Sequence, residues 1–385
     1  MNPRDVVIVS ACRTPIGKNM GQFKDVRARQ LAITAGAEAI KRADIDPKLI
    51  DGIVMGECFT AMEGSLAARQ VSMRLGFDER SNACVVNQNC ASGMRALDIQ
   101  ANNILLGKED IGMVIGVESM TNAPYVLEKA RMGYRMGDSK IFDNMLHDGL
   151  IDELSGGHMG LTAENVAEKY GITREECDKI AVRSHNLACK AIDEGIFKDE
   201  IVPVVIKSKK GEKVITDDEH PIRGCTMETL AKLKPAFKKD GVITAANASG
   251  INDAAAAVIL MSWEKCQELG KKPMAKLVTC VAEGVAPEVM GLGPAVAMPK
   301  ALKAAGLKWE DIDYFEVNEA FSAQVLGVER MLKEDYGYVV DWNKTNKFGS
   351  GIALGHPVGC TALRIIVTLV YEMIRSDYKY GMASL

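Results

Sequence analysis

No CxxC pair occurs among the ten cysteines, at positions 12, 58, 84, 90, 177, 189, 225, 266, 280 and 360, and no HExxH among the five histidines. These absences remove the common zinc and redox-dithiol patterns, so no metal is expected. Long apolar runs are also missing. The longest, Ala254 to Met261, has eight residues, against the ~18 needed for a membrane span. Only four apolar residues, Val6 to Val9, follow Asp5, too few for an export signal. A soluble, cytoplasmic chain with reduced thiols and no membrane partner is therefore expected. An excess of positive charge is lacking too: 47 Lys and Arg stand against 51 Asp and Glu, a formal net charge of −4. No basic surface advertises nucleic acid. What remains is ordinary globular composition, 47% hydrophobic and 25% charged over 385 residues, enough for two or three folded domains.

Hydrophobic periodicity predicts a strand at Val6 to Val9, a helix over about Ala28 to Arg42, a strand at Asp51 to Met55, a helix over Ser92 to Leu106 and a strand at Ile111 to Val117. This βαβ alternation indicates a layered α/β fold with buried strands. From Asn122 to Thr244 the chain is richer in Met, Gly and charge, with helices expected at Thr162 to Tyr170 and Thr173 to Glu194. It reads as an insertion carrying loops over a site. Ala254 to Met261 returns as a strand, and polar Gly270-Lys-Lys-Pro273 marks the boundary into a last region of alternating strand and helix. The divisions are 1–121, an N-terminal half; 122–244, the inserted loop domain; 245–270, the last strand region of the N-terminal half; and 271–385, a C-terminal half.

That last half repeats the first. An offset of 262 lays Ala39 to Phe59 on Ala301 to Phe321 with seven identities in 21 positions, among them Asp51/Asp313, Glu57/Glu319 and Phe59/Phe321. At offset 266, Cys90-Ala-Ser-Gly93 lies on His356-Pro-Val-Gly359. Two similar halves about a pseudo-twofold axis would place Cys90 and His356 at equivalent strand-to-helix junctions.

At such a junction, free N–H groups and the helix dipole favour negative charge, so a lowered Cys90 pKa is expected. The small residues Ala91, Ser92 and Gly93 leave room for a carbonyl to approach the sulfur. Against this stands the usual fate of cysteine, a small core hydrophobe. His356, set among glycines from Gly351 to Gly359 with Pro357 suited to the first helical position, can take a thiol proton. A lone histidine more often caps or fills a core, but its equivalence to Cys90 argues otherwise. Asn318, in Val317-Asn-Glu-Ala-Phe321, ends a strand and could donate to an oxyanion or simply form a turn.

These residues resemble the thiolase family. Val86-Asn-Gln-Asn-Cys-Ala-Ser-Gly93 is similar to its nucleophile motif, Asn318-Glu-Ala-Phe321 to its Asn-Glu-Ala-Phe motif, and Gly351 to Gly359 to its Gly-His-Pro motif. Ala11-Cys-Arg-Thr-Pro-Ile-Gly17, His158-Met-Gly160, Thr162-Ala-Glu-Asn165, Asn247 to Asp253 and Met290-Gly-Leu-Gly-Pro294 extend the match over essentially the whole chain. The resemblance implies a five-layered αβαβα fold of two halves with a loop domain. It also implies reversible acyl transfer between cysteine and coenzyme A, with Claisen condensation or thiolysis, most simply of two acetyl-CoA to acetoacetyl-CoA. In that scheme Cys90 carries the acyl thioester, His356 activates it, and Asn318 positions an oxyanion-hole water. Leu150, His158, Met159, Phe237, Ser249, Met290 and Phe321 would neighbour the pantetheine or acyl group, and Arg223 the nucleotide phosphates. No tightly bound cofactor is implied beyond the coenzyme A thioesters used as substrates, and homodimers or homotetramers are expected.

Family members continue past the strand equivalent to Gly381–Leu385 into a Cys-x-Gly-Gly segment with a second catalytic cysteine. Its absence from the sequence makes acylation of Cys90 the step expected to survive, and Cys360, one turn into the following helix, is no obvious substitute. Other readings are a ketoacyl synthase, which uses a different polar pair, a broader-chain degradative thiolase, and a silent thiolase-like subunit that binds acyl-CoA.

Overall fold

The computed structural model describes residues 1–209 and 211–385. Val6–Arg13 (β1), Gly52–Gly56 (β2), Asn82–Val86 (β3), Ile111–Ser119 (β4), Asn252–Ser262 (β5) and Ala275–Lys276 (β6) form one sheet in the order β6-β1-β5-β4-β2-β3. Strands β2, β3 and β4 run parallel, while β5 runs antiparallel to both β1 and β4. The buried centre explains the sequence: Ala254 to Met261 carries no polar alternation because β5 is covered on both faces. A second, parallel pair joins Tyr314–Val317 (β7) to Gly381–Ser384 (β8).

The helices occupy the remaining layers. Ala28–Ala43 (α1) covers the outer face of the first sheet, and Ser92–Leu105 (α2) lies on its inner face. Met159–Tyr170 (α3) and Arg174–Asp193 (α4) come from the long insertion. Gly293–Ala305 (α5) and Ser322–Tyr336 (α6) belong to the second half, with α5 packed on β8. Val358–Ser376 (α7) touches α2, β4 and β5 on one side and β7 and β8 on the other. Five layers, αβαβα, result, with α2 and α7 in the middle.

The duplication is visible in register. Gly52 pairs with Gly112 and Gly56 with Gly116, and in the second half Tyr314 pairs with Gly381 and Val317 with Ser384. Each parallel pair is preceded by a 3-10 turn, Pro47–Leu49 or Trp309–Asp311. The insertion is more than loops. Thr173 and Glu176 form a capping box for α4, and Ala163, Val166, Cys177 and Ile180 share a core with Leu292, Ala295, Val317 and Phe321. Arg13 ties β1 to the insertion, with Nε 2.6 Å from Glu200 and its terminal nitrogens 2.8 and 3.0 Å from Asp218. This buried cation is fully paired, as a charge away from water must be.

Where α2 and α7 cross, backbone approaches backbone. A Cβ on Gly93 would lie 2.7 Å from the Leu363 nitrogen, and one on Gly359 would lie 2.6 Å from the Val117 carbonyl oxygen and 2.9 Å from Glu57 Cα. Helix propensity favours alanine over glycine by about 1 kcal/mol in a helix interior. At Gly359 two of the three nearest neighbours are backbone atoms that cannot swing away, the third being a Glu118 carboxylate oxygen at 2.8 Å, so overpacking of about 1–3 kcal/mol wins. Gly359→Ala is accordingly expected to lower unfolding free energy in urea; an unchanged midpoint and slope would show that α7 can move away from β4 freely.

Candidate active site

Each reactive residue lies one position before the N-cap of a central helix. Ala91 caps α2 and Pro357 caps α7, so Cys90 and His356 are structural equivalents. The first helical residue after His356 is Val358, which corrects the expectation that Pro357 opens the helix: Pro357 has ψ 106° and remains extended.

The turn presenting Cys90 is fixed by Ser92. Its hydroxyl accepts from the Gln88 N–H at 2.8 Å and donates to the Asn89 carbonyl at 2.7 Å. Asn89 has φ 47°, a left-handed conformation asparagine tolerates. On the other side, Asn252 of β5 accepts the His356 N–H at 3.0 Å and donates to the Gly17 carbonyl at 2.9 Å. Gly355 has φ 99°, and a Cβ there would lie 2.5 Å from the Asn252 amide, so the loop needs glycine.

These supports bring His356 Nε2 to 3.1 Å from Cys90 Sγ. The imidazole Nδ1 lies 2.6 Å from the Thr361 hydroxyl. Asn318 follows β7, its N–H bonded to the Ser384 carbonyl at 2.9 Å. Its Oδ1 is buried without a protein partner, and a Cβ on Gly351 would lie 2.5 Å from that oxygen. Asn318 thus packs on the loop that carries His356. Asn346 braces the strand end, accepting from the Val317 N–H at 2.8 Å and donating to Glu319 at 2.9 Å.

The electrostatics correct one expectation. Burial pushes the Cys90 thiol up to about 11, overriding the hydrogen bond from its own N–H, and Glu118 adds to the rise. The helix N-terminus does not populate a thiolate, because the desolvation cost is larger. Burial, helped by Arg364, pulls His356 down to about 4. The pair is neutral at pH 7. Two carboxyls lie close to these junctions. Glu118 accepts N–H groups of Cys58, Phe59 and Gly359 at 3.0, 3.1 and 2.8 Å, and burial still raises it to about 7. Glu57, with both oxygens unpartnered, is pushed to about 9 by burial and then by Glu118.

The substrate-binding candidates fall into groups. Leu150 packs on the cluster of Phe59, Met120 and Val358, against which Cys58 and Cys90 also pack. His158 caps α3, accepting the Gly160 N–H at 3.0 Å, and stacks on Phe237 with ring centres 4.7 Å apart. Phe237 meets Phe321 edge to face at 6.0 Å, while Met159 packs on the same core. The Ser249 N–H donates to the Ala320 carbonyl at 2.8 Å, beside Phe321. Met290 sits half-buried in the turn before α5. Arg223 is held by Asp193 through two hydrogen bonds, of 3.0 and 2.9 Å, on the surface. A cavity of about 260 Å³ runs between residues 275–283 and β8; Gln88 and Ala91 line it, but Cys90, His356 and Asn318 do not. Among the described residues no group of three or more His, Cys, Asp or Glu is placed to hold a metal, and no helix is long and apolar enough to cross a membrane.

Sequence reasoning missed Thr361, Glu118 and Asn252. Thr361 left a usable signal: a hydroxyl one turn after His356 on a helix faces back toward it.

Comparison with known proteins places this geometry in a class. The family model for the thiolase N-terminal domain matches residues 6–264, and that for the C-terminal domain matches residues 271–385. An acetyl-CoA acetyltransferase of Syntrophomonas wolfei is 51% identical over 384 residues, covering 99% of this chain and 96% of that one. A solved acetyl-CoA acetyltransferase from Syntrophomonas wolfei superposes with a TM-score of 0.98 at 62% identity, covering 99% and 96% of the two chains. Human mitochondrial 3-ketoacyl-CoA thiolase gives 0.94 at 37% identity, covering 100% and 96%. The chain belongs to the thiolase family.

The neutral pair has a measurable signature. Alkylation of Cys90 by iodoacetamide, followed by peptide mass spectrometry, is expected to keep accelerating from pH 6 to pH 10, as the thiolate fraction grows. A plateau from about pH 5 onward would instead mark a preformed thiolate–imidazolium pair.

Proposed function

We propose that this thiolase is an acetyl-CoA acetyltransferase in which Cys90 is the nucleophile. The carrying observation is the 3.1 Å contact between Sγ and Nε2 across two helix N-termini. As the sulfur attacks the thioester carbonyl carbon, its proton passes to Nε2. The tetrahedral intermediate collapses by breaking the carbon–sulfur bond to coenzyme A, whose thiolate leaves with the proton from the imidazolium. Acetyl-Cys90 remains. A second acetyl-CoA loses a proton from its α-carbon, and that carbon bonds to the acetyl carbonyl carbon as the bond to Cys90 Sγ breaks; the departing sulfur takes up a proton, balancing the one lost, so acetoacetyl-CoA leaves and the Cys90 thiol returns. The reverse sequence is thiolysis.

Asn318 supports the oxyanion. Its partnerless Oδ1 is available to hold a water that donates to the developing charge, while its amide N–H groups offer further donors. The Cys90 N–H, directed at its own sulfur, and the dipole of α2 favour the same charge. Leu150, in the same cluster as Cys90, suits a neighbour of the acyl group, as does Met290 in the turn before α5, and the His158–Phe237–Phe321 line, with Met159 and Ser249, suits the pantetheine arm. Exposed Tyr125, Leu127, Met132, Met136 and Ile141 favour a self-associating chain, a homodimer or homotetramer, acting in the cytoplasm.

Incubation with acetyl-CoA and peptide mass spectrometry tests the reading. One acetyl group is expected on the Cys90 peptide of the native chain and none in Cys90→Ala, with acylation slowed by roughly 10²–10⁴-fold in His356→Ala, the range typical of a lost general base. A folded native chain whose Cys90 stays unmodified defeats the proposal.

A further inference from the structure

Thr361 stands one turn beyond His356 in α7, fully buried. Its Oγ1 lies 2.6 Å from His356 Nδ1 and 2.9 Å from the Pro357 carbonyl oxygen. A hydroxyl has one hydrogen and can accept through its lone pairs. The Pro357 carbonyl can only accept and Oγ1 stands at donating distance from it, so the Thr361 proton is assigned to that contact. That carbonyl is itself fixed, because the N–H groups of Cys360 and Thr361 both donate to it at 2.9 Å. The short contact to the imidazole is then filled by a proton on Nδ1.

A neutral imidazole carries one N–H. With it on Nδ1, Nε2 is a lone pair facing Sγ at 3.1 Å. The sulfur end agrees independently. A thiol is a weak donor, but a nitrogen lone pair is a strong acceptor for it, whereas an Nε2–H would meet sulfur, a weak acceptor. Both ends of the ring therefore select the same tautomer.

We propose that Thr361 is a positioning residue of the acyl-transfer reaction: its hydroxyl, oriented by the Pro357 carbonyl, holds His356 in the Nδ1–H tautomer with Nε2 free to take the Cys90 proton. The hydrogen bond from Nδ1 to Oγ1 persists after the transfer, when the ring is an imidazolium, and strengthens because its donor is then charged. As the coenzyme A thiolate departs, it takes the proton from Nε2, and the starting tautomer returns without the ring turning. The role rests on the reading of Cys90 and His356 as nucleophile and base.

Nitrogen-15 NMR of the full native chain, labelled at histidine, reads the tautomer without any change to Thr361. His356 is expected to show a protonated Nδ1 and a bare Nε2; a protonated Nε2 overturns the proposal. In single-turnover acylation by acetyl-CoA, Thr361→Val is expected to lower the saturating rate roughly tenfold or more, below the full contribution of a general base. Half-saturation should stay within about twofold, since uniform binding is untouched. Thr361→Ser, which keeps the oxygen, is expected to restore most of the rate. Folded Thr361→Val with the native acylation rate also overturns the proposal, and if that variant does not fold, the spectrum of the native chain decides. Failure of Cys90 to acylate in the native chain would reject the nucleophile while leaving the NMR assignment standing, so the two readings fail separately.

Discussion

The close crossing of α2 and α7 is the constraint on which the site depends. Cys90 and His356 come from opposite halves of the chain, and only the approach of these helices brings sulfur and nitrogen to 3.1 Å. That approach requires glycine. A Cβ on Gly93 would strike Leu363, and one on Gly116 of β4 would lie 3.0 Å from both the Gly359 carbonyl oxygen and Leu363 Cβ. Side chains at these positions would push α7 from β4 and α2 together, since interiors packed to crystal density have no slack to absorb a methyl group. Burial is a consequence of the same geometry. The junctions meet inside the five-layered body, and this sets the chemistry of both groups.

Burial shapes reactivity here by withholding charge. A thiol near 11 beside an imidazole near 4 does not store an ion pair; in the proposed mechanism charge separates only as a substrate carbonyl is attacked, where the Cys90 N–H and Asn318 would meet it. The carboxyls reinforce this. Glu118 and Glu57 cannot both ionise comfortably, and burial and mutual repulsion raise Glu57 to about 9. One carboxylate at most lies near the junctions at neutral pH, and it is bonded to three backbone N–H groups. An additional negative charge would raise the cysteine further.

Much of this was legible in the sequence, for a physical reason. The duplication preserves buried positions around the strands, so Ile50 and Glu57 recur as Ile312 and Glu319. The equivalence of Cys90 and His356 followed from an offset alone. The sign of the cysteine shift did not, because helix dipole and desolvation oppose each other, and only the depth of burial decides between them. Thr361, Asn252 and Glu118 were hidden differently. Asn252 and Glu118 act through contacts between distant segments, which residue type and spacing do not mark, whereas Thr361 was marked only by its spacing from His356. Arg364 belongs with these: its closest acidic partner, Glu316, is 3.9 Å away, a relation between α7 and β7 that no local pattern shows.

A duplicated scaffold supplies two equivalent junctions, yet a thiol and its base must differ, and the differences extend beyond the reactive side chains. Position 95 in the first half corresponds to 361 in the second. Arg95 turns outward to Asp98 at 2.6 Å, which leaves the ground beneath Cys90 free of a hydroxyl that would bind the sulfur. Thr361 turns inward and grips the imidazole. The end-of-strand glutamates diverge likewise: Glu319 is bonded by Ser184 and Asn346, whereas Glu57 has no partner and stays protonated to about 9. At these two strand ends Glu319 is braced by hydrogen bonds and Glu57 by packing alone. A proton can then move one way across a nearly symmetric interface, because the acceptor ring is held by its far nitrogen while the sulfur is held only through its backbone turn.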